Sequence, residues 1–497
     1  MRLAALGLAA SLSAAASAAA PGAAPDGLAS VDGRYPDWID RAAPPGVDFF
    51  RYANGAWLKA NPIPPDRSYW GIDTILTEQN QSFIRGLLES LIKDGSAAKA
   101  GPQRKAADFY FSGMDEAGIE ASGIAPLQGE FARIANIGSI EALRAEIAHL
   151  QLIGVAAPLQ LGQMQDFKDS TRVIALAQQG GLGLPDRDYY LKDEPTFVAA
   201  RGEYVAHVAR MLSLLGDSAA DAAAQSKKIM ALEMRLAKAS MPDIEQRDPH
   251  AIYHPMALDG ADALSPNLHW RGLLEDVGHP EIASLNVAMP EFFKAVDQEL
   301  LRTPIADWQS YLRWMLLDAY APYLSRSFVD EDFRMRSVLT GAQKLQPRWL
   351  RVLKAEDDAL GFAVGQMYVA QKFPPAARQA ATVMVERIRD ALGADLKSLP
   401  WMTPATRAAA IEKLGQMELR IGYPQRWRDY STLEIDRGPY VLNVLRAREF
   451  EQRRELDKIG KPVDRSEWSM TPQTVNAYYD PSMNRSEEHT SELQSLV

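Results

Sequence analysis

The sequence predicts a mainly α-helical globular protein with more than one lobe, and three observations favour that class. The chain has 497 residues, of which 47% are apolar and 24% are charged, a balance that allows a sizeable core. At about 150 residues per domain, this length corresponds to roughly three domains or two large ones. Apolar residues recur at helical spacing along much of the chain, whereas the alternation typical of strands is scarce.

The first twenty residues predict a secretory signal peptide rather than a part of the fold. Arg2 precedes an apolar stretch from Leu3 to Leu12, and small residues with A-x-A cleavage patterns fill Ser13 to Ala20. The alternative is an Ala-rich leader without structure. Residues 21–44 are rich in Pro, Gly, Ala and Asp and predict a linker. We therefore expect an exported protein, periplasmic or extracellular.

The composition excludes several kinds of site and partner. Cys is absent, which rules out thiolate zinc sites, Cys nucleophiles and iron–sulfur clusters, so any metal needs His and carboxylate ligands. The formal net charge is -10 and no long basic run occurs, which argues against a nucleic-acid partner. After the leader, no apolar run approaches the ~18 residues of a membrane span.

Helical spacing is clearest in four parts of the chain. Aromatic and apolar residues follow this spacing from Asp48 onward, and residues 68–92 predict a long helix after a Pro-rich turn. Two further sets of residues predict helices: Ile229, Leu232 and Leu236, and Trp308, Leu312, Met315 and Ala319, with Pro322 near the end of the second. The best strand candidate is residues 471–479.

Common catalytic signatures are missing. Gly361-Phe-Ala-Val-Gly365 has Ala where a nucleophile elbow needs Ser, and Gly181-Leu-Gly183 lacks the third Gly of a dinucleotide loop. The acidic pairs Asp357-Asp358 and Glu331-Asp332 could be imagined as glycosidase carboxylates. Neighbours in sequence point in different directions on a helix, however, so these pairs do not favour that chemistry.

One pair of histidines has the spacing of a helical zinc site. His250-Ala-Ile-Tyr-His254 has Ala where a zinc protease has its general-base Glu, and Pro249 and Pro255 leave little room for a helix. No His in the sequence is followed by Glu, so the motif H-E-x-x-H does not occur. We therefore expect two loop histidines without a metal.

Six groups of residues, in order from about residue 45 to residue 484, resemble the hallmark segments of one family. They are Asp48-Phe-Phe-Arg-Tyr-Ala-Asn-Gly-Ala-Trp-Leu58 with Ile63-Pro64 and Trp70-Gly71; Gly181-Leu-Gly-Leu-Pro-Asp-Arg-Asp-Tyr-Tyr-Leu191; Gln346-Pro-Arg-Trp349; Leu360-Gly-Phe-Ala-Val-Gly-Gln-Met-Tyr368; Ile421-Gly-Tyr-Pro424; and Val475-Asn-Ala-Tyr-Tyr-Asp-Pro481. Together they resemble the neprilysin/endothelin-converting-enzyme family of zinc metallopeptidases. Locally, Asn54-Gly55 is typical of a turn and Pro185-Asp186 of a helix start.

This resemblance implies a fold and an activity. The fold is a mainly α, two-lobed, zincin-like metallopeptidase in which a large helical domain caps the catalytic domain. Residues 45–424 correspond to the mostly helical N-terminal region, and residues 425–484 to the start of the catalytic domain. The activity is zinc-dependent hydrolysis of peptide bonds in small peptides. Two His of H-E-x-x-H and a more distant Glu bind the zinc in such enzymes.

The resemblance assigns a binding role to Asn476 and Ala477. In the family this pair lies on an edge strand, where the Asn amide and the Ala backbone hold the main chain of the substrate. Pairing of this kind can bind any extended peptide. As an alternative, Asn476 closes a turn before Pro481.

The resemblance ends near Asn484, before any H-E-x-x-H. We therefore expect no catalytic residue and no zinc ligand in this chain, an incomplete catalytic domain, and no peptidase activity from the chain as given. Residues Arg485 to Ser495 resemble the conceptual translation of a sequencing-adapter oligonucleotide and predict neither helix nor strand. The alternative is a genuine polar tail on a naturally short protein.

Three hypotheses for function remain at this point. The favoured one is an exported zinc endopeptidase or oligopeptidase, represented by an N-terminal fragment. The second is a non-catalytic, secreted, helical protein that binds peptides or other partners. The third, a glycosidase with paired carboxylates, has no motif in its favour.

Overall fold

The computed structural model describes residues 35–94 and 101–489, which form two compact units. The smaller unit contains the described residues up to Pro62, together with Trp70–Ile75. The larger contains Ile63–Tyr69 and the described residues from Leu76 onward. The predicted signal peptide and residues 21–34 of the predicted linker lie outside the described residues.

The smaller unit is built around helix α1, Phe49–Ala60. Asp48 caps this helix, because its Oδ1 accepts a hydrogen bond from the backbone N–H of Arg51 at 2.9 Å. The predicted turn at Asn54-Gly55 is wrong, since both residues lie inside α1.

The need for Gly55 comes from the chain before the helix. A Cβ at Gly55 would lie 2.6 Å from the Cβ of Asp40. The backbone N–H of Asp40 also donates to the carbonyl of Tyr52 at 2.8 Å. Residues 35–44, read as linker from composition, therefore include a 3-10 turn at Tyr35–Trp38 and a segment packed on α1.

Seventeen further α-helices follow in the described residues. Their bounds are α2 (Ile72–Asp94), α3 (Pro102–Met114), α4 (Glu116–Ser122), α5 (Gln128–Ala135), α6 (Ile140–Leu152), α7 (Asp188–Leu191), α8 (Pro195–Leu214), α9 (Ala219–Ala239), α10 (Leu258–Leu264), α11 (Trp270–Asp276), α12 (Pro290–Arg302), α13 (Ile305–Tyr320), α14 (Arg326–Thr340), α15 (Arg348–Lys372), α16 (Pro375–Ser398), α17 (Pro404–Gly415) and α18 (Tyr440–Leu456). Five of them begin with Pro, which suits the first turn because its missing N–H has no helical partner there.

The helix predictions from apolar spacing are largely confirmed. Ile229, Leu232 and Leu236 lie on α9 and are fully buried. The set that starts at Trp308 lies on α13, which ends at Tyr320 just before a short 3-10 turn that contains Pro322. The helix expected over residues 68–92 begins later, at Ile72. The start signal at Pro185-Asp186 is also confirmed, because Asp186 Oδ1 accepts from the N–H of Asp188 at 2.7 Å.

A four-stranded sheet in the larger unit has the order β1-β2-β4-β3. Its strands are β1 (Leu159–Gln165), β2 (Val173–Gln179), β3 (Pro255–Ala257) and β4 (Ser284–Val287). β1 and β2 are antiparallel, β2 and β4 are parallel, and β3 is antiparallel to β4. Sequence analysis missed β2 because both of its faces are mostly apolar, which hides the alternation.

A three-stranded sheet near the C-terminal end of the described chain has the order β5-β7-β6. Its strands are β5 (Glu418–Gly422), β6 (Ala477–Asp480) and β7 (Arg485–His489). β7 is central, parallel to β5 and antiparallel to β6. The expectation that Arg485 to Ser495 form neither helix nor strand is therefore wrong for Arg485–His489. Both neighbours pair with the backbone of β7, although its side chains lack the apolar face that signals a strand.

The larger unit has one extended hydrophobic core, which includes the fully buried Trp270, Trp308 and Trp314. A smaller cluster joins Phe373 and Ala377 to Ile421 of β5. Among the described residues, none of the helices combines the length and the apolar character needed to cross a membrane.

Candidate functional site

The two residues predicted to bind substrate lie at the start of β6. Ala477 is the first residue of this strand, and Asn476, directly before it, is exposed. β6 is an edge strand, because β7 pairs with one side and no described strand pairs with the other. The other edge of β6 therefore has no strand partner among the described residues.

The Asn476 side chain is held against its own strand. Its Oδ1 accepts a hydrogen bond from the backbone N–H of Ala477 at 2.8 Å. Within the described residues, the Nδ2 group of Asn476 donates to no protein acceptor. The arrangement thus fixes the amide at the strand end while leaving its donor group available.

The strand is shorter than the predicted 471–479, because the residues before it are engaged with helix α15. Thr471 Oγ1 donates to Asp357 Oδ1 at 3.2 Å. Gln473 Nε2 donates to the carbonyl of Gly361 at 2.9 Å and makes a second, short hydrogen bond to Asp357. These bonds attach the segment 471–473 to one helix surface and define the point from which β6 departs.

Two glycines of α15 make this contact possible. A Cβ at Gly361 would lie 2.5 Å from Thr471 Cγ2, and one at Gly365 would lie 2.7 Å from Pro472 Cδ. Real side chains do not approach so closely, so any larger residue would force the segment away from the helix. The helix also departs from α geometry at Leu360, where φ is -133° and ψ is 20°. The segment Leu360–Tyr368 therefore serves as a platform for the chain that leads to Asn476.

A second helix holds the same segment from another direction. Asn80 of α2 donates from Nδ2 to the carbonyl of Gln473 at 3.2 Å. The hydroxyl of Tyr368 on α15 donates in turn to Asn80 Oδ1 at 2.9 Å. A cavity of about 270 Å³ lies beside this contact, lined by residues of α2, α15 and the segment 473–475.

Buried carboxyl groups of α15 adjoin the cavity. Burial raises the pKa of Asp357 to about 6, although its hydrogen bonds from Gln473 and Thr471 oppose the shift. Burial also raises the pKa of Glu356 well above its ordinary value. Neither oxygen of Glu356 has a hydrogen-bond partner among the described residues. Burial therefore favours the neutral form of Glu356.

The described residues around β6 do not form a zinc site. The single group of three His, Asp or Glu ligands found in the described part of the chain is Glu130, Glu146 and His149, on α5 and α6. Asn476, Ala477 and the residues that anchor the segment before them are not among its members. His250 and His254 lie in the irregular segment before β3, as expected for loop histidines.

A larger cavity, of about 910 Å³, lies between α18 and the segments 424–434 and 461–468. Its charged groups are mostly paired with one another. Arg454 contacts Glu451 at 2.7 Å, and Lys458 contacts Glu467 at 2.8 Å. Arg428 contacts Glu451 at 3.1 Å. This network therefore joins α18 to the chain around it and leaves little unpaired charge for a ligand.

A sequence model of the family described as Peptidase family M13 matches residues 45–424 of this chain. The chain belongs to peptidase family M13. The resemblance to neprilysin and endothelin-converting enzyme is thereby confirmed.

Curated relatives of this M13 chain are longer than it is. An endothelin-converting enzyme homolog of Locusta migratoria is 30% identical over 475 residues, covering 90% of this chain and 65% of the relative. Neprilysin-3 of Drosophila melanogaster is 30% identical over 481 residues, covering 90% of this chain and 60% of the relative. The chain thus spans 60 to 65% of the length of these two proteins.

Solved structures agree with the family assignment. The zinc metalloprotease ZMP1 of Mycobacterium tuberculosis, in complex with an inhibitor, matches with a TM-score of 0.87 and 35% identity, over 92% of this chain and 69% of that one. PepO from Lactobacillus rhamnosis matches with a TM-score of 0.80 at 22% identity, over 88% of this chain and 70% of that one, a likeness of fold alone. The predicted mainly α, zincin-like fold is confirmed.

The sequence drew attention to Asn476 and Ala477 of this M13 chain but not to the residues that anchor the segment before them. Gln473 and Asn80 carried no recognisable signal, because their partners are remote in sequence. The motif Leu360–Tyr368 did carry a signal as a family segment. Its two glycines, four residues apart, are a signal that could have indicated the close approach of another segment, but the sequence analysis did not draw that inference.

Proposed function

We propose that the whole protein to which this chain contributes is a zinc-dependent endopeptidase or oligopeptidase that hydrolyses small peptides. Membership of peptidase family M13 supports this, as do relatives named endothelin-converting enzyme and zinc metalloprotease. The zinc is expected to polarise the scissile carbonyl and activate a water molecule, as it does in related metallopeptidases.

One observation carries the proposal for this chain: Ala477 begins the edge strand β6, and Asn476 directly precedes it. A peptide in extended conformation can add to such an edge through main-chain hydrogen bonds, whatever its side chains. The Nδ2 group of Asn476 then donates to a carbonyl of the peptide, and the backbone of Ala477 pairs with the peptide main chain. This mode of binding suits an enzyme that accepts many short sequences.

The zinc itself is not matched by residues of this chain. The 497-residue sequence contains no H-E-x-x-H, and the described residues beside β6 offer no alternative set of three ligands. We therefore assign peptide binding, and no hydrolytic step, to Asn476 and Ala477. We expect the chain as given to hydrolyse no peptide bond.

Peptide binding can be tested with the chain itself. Fluorescence anisotropy of a labelled, unstructured peptide of about ten residues measures the affinity. Replacing Asn476→Ala removes one hydrogen bond and should weaken binding about 3- to 10-fold. Asn136→Ala, at an equally exposed Asn at the end of α5, is the matched control and should leave the affinity unchanged. Equal affinities of all three proteins, or no binding by any, would contradict the assignment.

The absence of H-E-x-x-H favours a second candidate, a peptide-binding protein without catalysis. The zinc peptidase and the peptide-binding protein differ in whether the intact gene encodes H-E-x-x-H. A hydrolysis assay on the intact gene product distinguishes them. Chelator-sensitive cleavage by the intact gene product supports the peptidase. Peptide binding without cleavage by that same product supports the second candidate.

We also propose that the protein is exported, on the basis of Arg2, the apolar stretch Leu3 to Leu12 and the small residues that follow. Expression with and without residues 1–20, followed by cell fractionation, tests this. Export should require residues 1–20, and the exported protein should lack them. Retention of both forms inside the cell, with an intact N-terminus, would contradict it.

A further inference from the structure

Two consecutive helices bring three possible metal ligands together, away from β6. Glu146 and His149 are three residues apart on α6 and so lie on the same face, and Glu130 projects from α5. A carboxylate oxygen of each Glu and a ring nitrogen of His149 all lie within 4.8 Å of one another. Ligands at the usual ~2.0–2.2 Å from one ion are roughly 3.5 Å apart, so modest side-chain rotations suffice to bind it.

The Glu146 side chain points to a missing partner. It is 5% exposed, and its Oε2 lies 3.2 Å from a guanidinium nitrogen of Arg133. Its Oε1 is buried and has no hydrogen-bond partner among the described residues. A buried carboxylate oxygen without a partner is unfavourable, and a bound cation would satisfy it.

The cluster is reachable from solvent, and its present ion pairs can be exchanged. The side chains of His149 and Glu130 are 25% and 21% exposed, and their ring nitrogen and carboxylate oxygen are 2.6 Å apart. The Arg133 side chain is 47% exposed, so it can turn into solvent when a cation enters. The positively charged guanidinium of Arg133 therefore competes with a metal ion for the carboxylate of Glu146.

The donor set selects a class of ion. One imidazole and two carboxylates suit Zn²⁺ and Co²⁺, whereas Mg²⁺ and Ca²⁺ prefer oxygen ligands alone. A Glu-x-x-His pair on one helix, joined by a Glu from another helix, is also the arrangement that carboxylate-bridged metal proteins use. We propose that Glu130, Glu146 and His149 form a site for one divalent transition-metal ion.

Titration of the chain with Co²⁺, followed by calorimetry and by visible absorption, tests this site. We expect one saturable Co²⁺ per chain. His149→Ala and Glu146→Gln should each weaken binding by at least about tenfold, because each removes a ligand. Arg133→Ala should strengthen binding, because it removes the competing charge. His279→Ala is the matched control, since His279 also has two carboxylate neighbours, Glu281 and Asp457, but belongs to no three-ligand group among the described residues.

Circular dichroism establishes first that each variant is folded. If His149→Ala is unfolded, Arg133→Ala and Glu146→Gln decide the question, because Arg133 is half-exposed and Gln preserves the shape of Glu146. No saturable Co²⁺ binding, or an affinity unaffected by Glu146→Gln and Arg133→Ala, would overturn the proposal. Peptide binding at β6 is a separate measurement, so failure of one proposal leaves the other untouched.

Discussion

The absence of a side chain at Gly361 decides whether the segment before β6 can reach α15. Replacing Gly361→Ala places a Cβ 2.5 Å from Thr471 Cγ2 and must displace the segment 471–473. We expect the free energy of unfolding to fall by about 1–3 kcal/mol, with weaker peptide binding at β6. Thermal unfolding and fluorescence anisotropy measure the two effects.

Gly202→Ala on α8 is the control for this substitution. A Cβ at Gly202 meets no atom within 4 Å, and Ala favours the helix by up to ~1 kcal/mol. That variant should be as stable as the native chain or more so. Equal unfolding midpoints for Gly361→Ala and the native chain would contradict the role of the glycine.

A buried glutamate explains the motif Gly181–Leu191. Glu233 of α9 is fully buried and accepts hydrogen bonds from the hydroxyls of Tyr190 and Tyr204 at 2.7 and 2.8 Å. A Cβ at Gly183 would lie 1.9 Å from the Tyr204 hydroxyl oxygen, so Gly is required there. The motif Gly181–Leu191 therefore has a structural role: it packs around the buried carboxyl group of Glu233.

The buried Glu233 predicts a pH dependence of stability. Burial raises its pKa from 4.5 to about 8, against the opposing effect of the two tyrosine hydroxyls. Because the folded-state pKa is the higher one, the stabilisation is complete below pH 4.5 and is lost as the pH rises through about 8. Glu233→Gln should remove this contribution and flatten the decline of the unfolding temperature between pH 4.5 and about pH 8.

Thermal unfolding of both proteins across this pH range measures the difference between their profiles. Other buried acids without a contact to Glu233, such as Asp357, whose pKa burial raises to about 6, contribute equally to both profiles. Glu89→Gln, at a half-exposed helical ion pair, controls for the loss of a surface charge. Parallel profiles for the native chain and Glu233→Gln would count against the buried acid as their cause.

At this scale the sequence predicts residues that belong to recognisable segments. Asn476 and Ala477 were singled out through the segment Val475–Pro481, and their role in substrate binding stays a prediction; Ala477 begins the edge strand β6 and Asn476 directly precedes it. Asn80 and Gln473 were not found, because a polar residue gains its role from a partner that only the folded chain brings near.

Among the elements, strand β7 combines a central position with buried charge. Arg485, Glu487 and His489 point inward and are at most 1% exposed. Glu487 lies 3.4 Å from Arg485 and 3.3 Å from His489, so two buried side chains share one buried carboxylate. Buried ionic clusters of this kind are often less stable than apolar residues of similar volume.

This arrangement predicts opposite results for two sets of substitutions. Replacing all three together, Arg485→Met, Glu487→Val and His489→Leu, should raise the free energy of unfolding by about 1–4 kcal/mol. Glu487→Ala alone should lower it by about 3–5 kcal/mol, because it leaves a buried charge unpaired. Urea unfolding distinguishes them. A triple variant less stable than the native chain would contradict the interpretation.

Helices whose apolar residues recur at helical spacing were predictable from sequence, as α9 and α13 illustrate. Strands were less predictable from sequence, for two physical reasons. β2 is mostly apolar on both faces, and β7 is polar throughout, so neither has the contrast between faces that alternation requires. Tertiary pairing of the backbone, which leaves no local pattern, determines both strands.

On the scale of the whole molecule, α16 and the residues after it leave apolar side chains exposed. Ile388 and Leu392, one turn apart on α16, are 62% and 47% exposed, and Trp401 is 71% exposed. α16 itself buries only three residues, Ala377, Ala381 and Leu396. Apolar groups exposed together favour association.

We therefore expect the purified chain to self-associate through these residues. Ile388→Lys combined with Trp401→Lys should shift the chain toward monomer in size-exclusion chromatography with light scattering. Val198→Lys, at an exposed apolar residue of α8, is the control and should change the distribution little. Identical association by all three proteins would contradict the expectation.

The family of the chain was predictable because its segments occur in order over most of the sequence, and the family match agrees. The zinc ligands were not predictable, because no segment of the sequence carries the motif H-E-x-x-H. Composition and helical spacing by themselves led only to a mainly helical protein.

The most direct test of the zinc-peptidase assignment is to determine the coding sequence that follows the Asn484 codon, by direct amplification of the gene. We predict that the reading frame continues into His-Glu-x-x-His, with a more distant Glu to complete the zinc site. A stop codon directly after the Val497 codon, with the codons for Arg485 to Val497 unchanged, would contradict the assignment and leave a peptide-binding protein without catalysis.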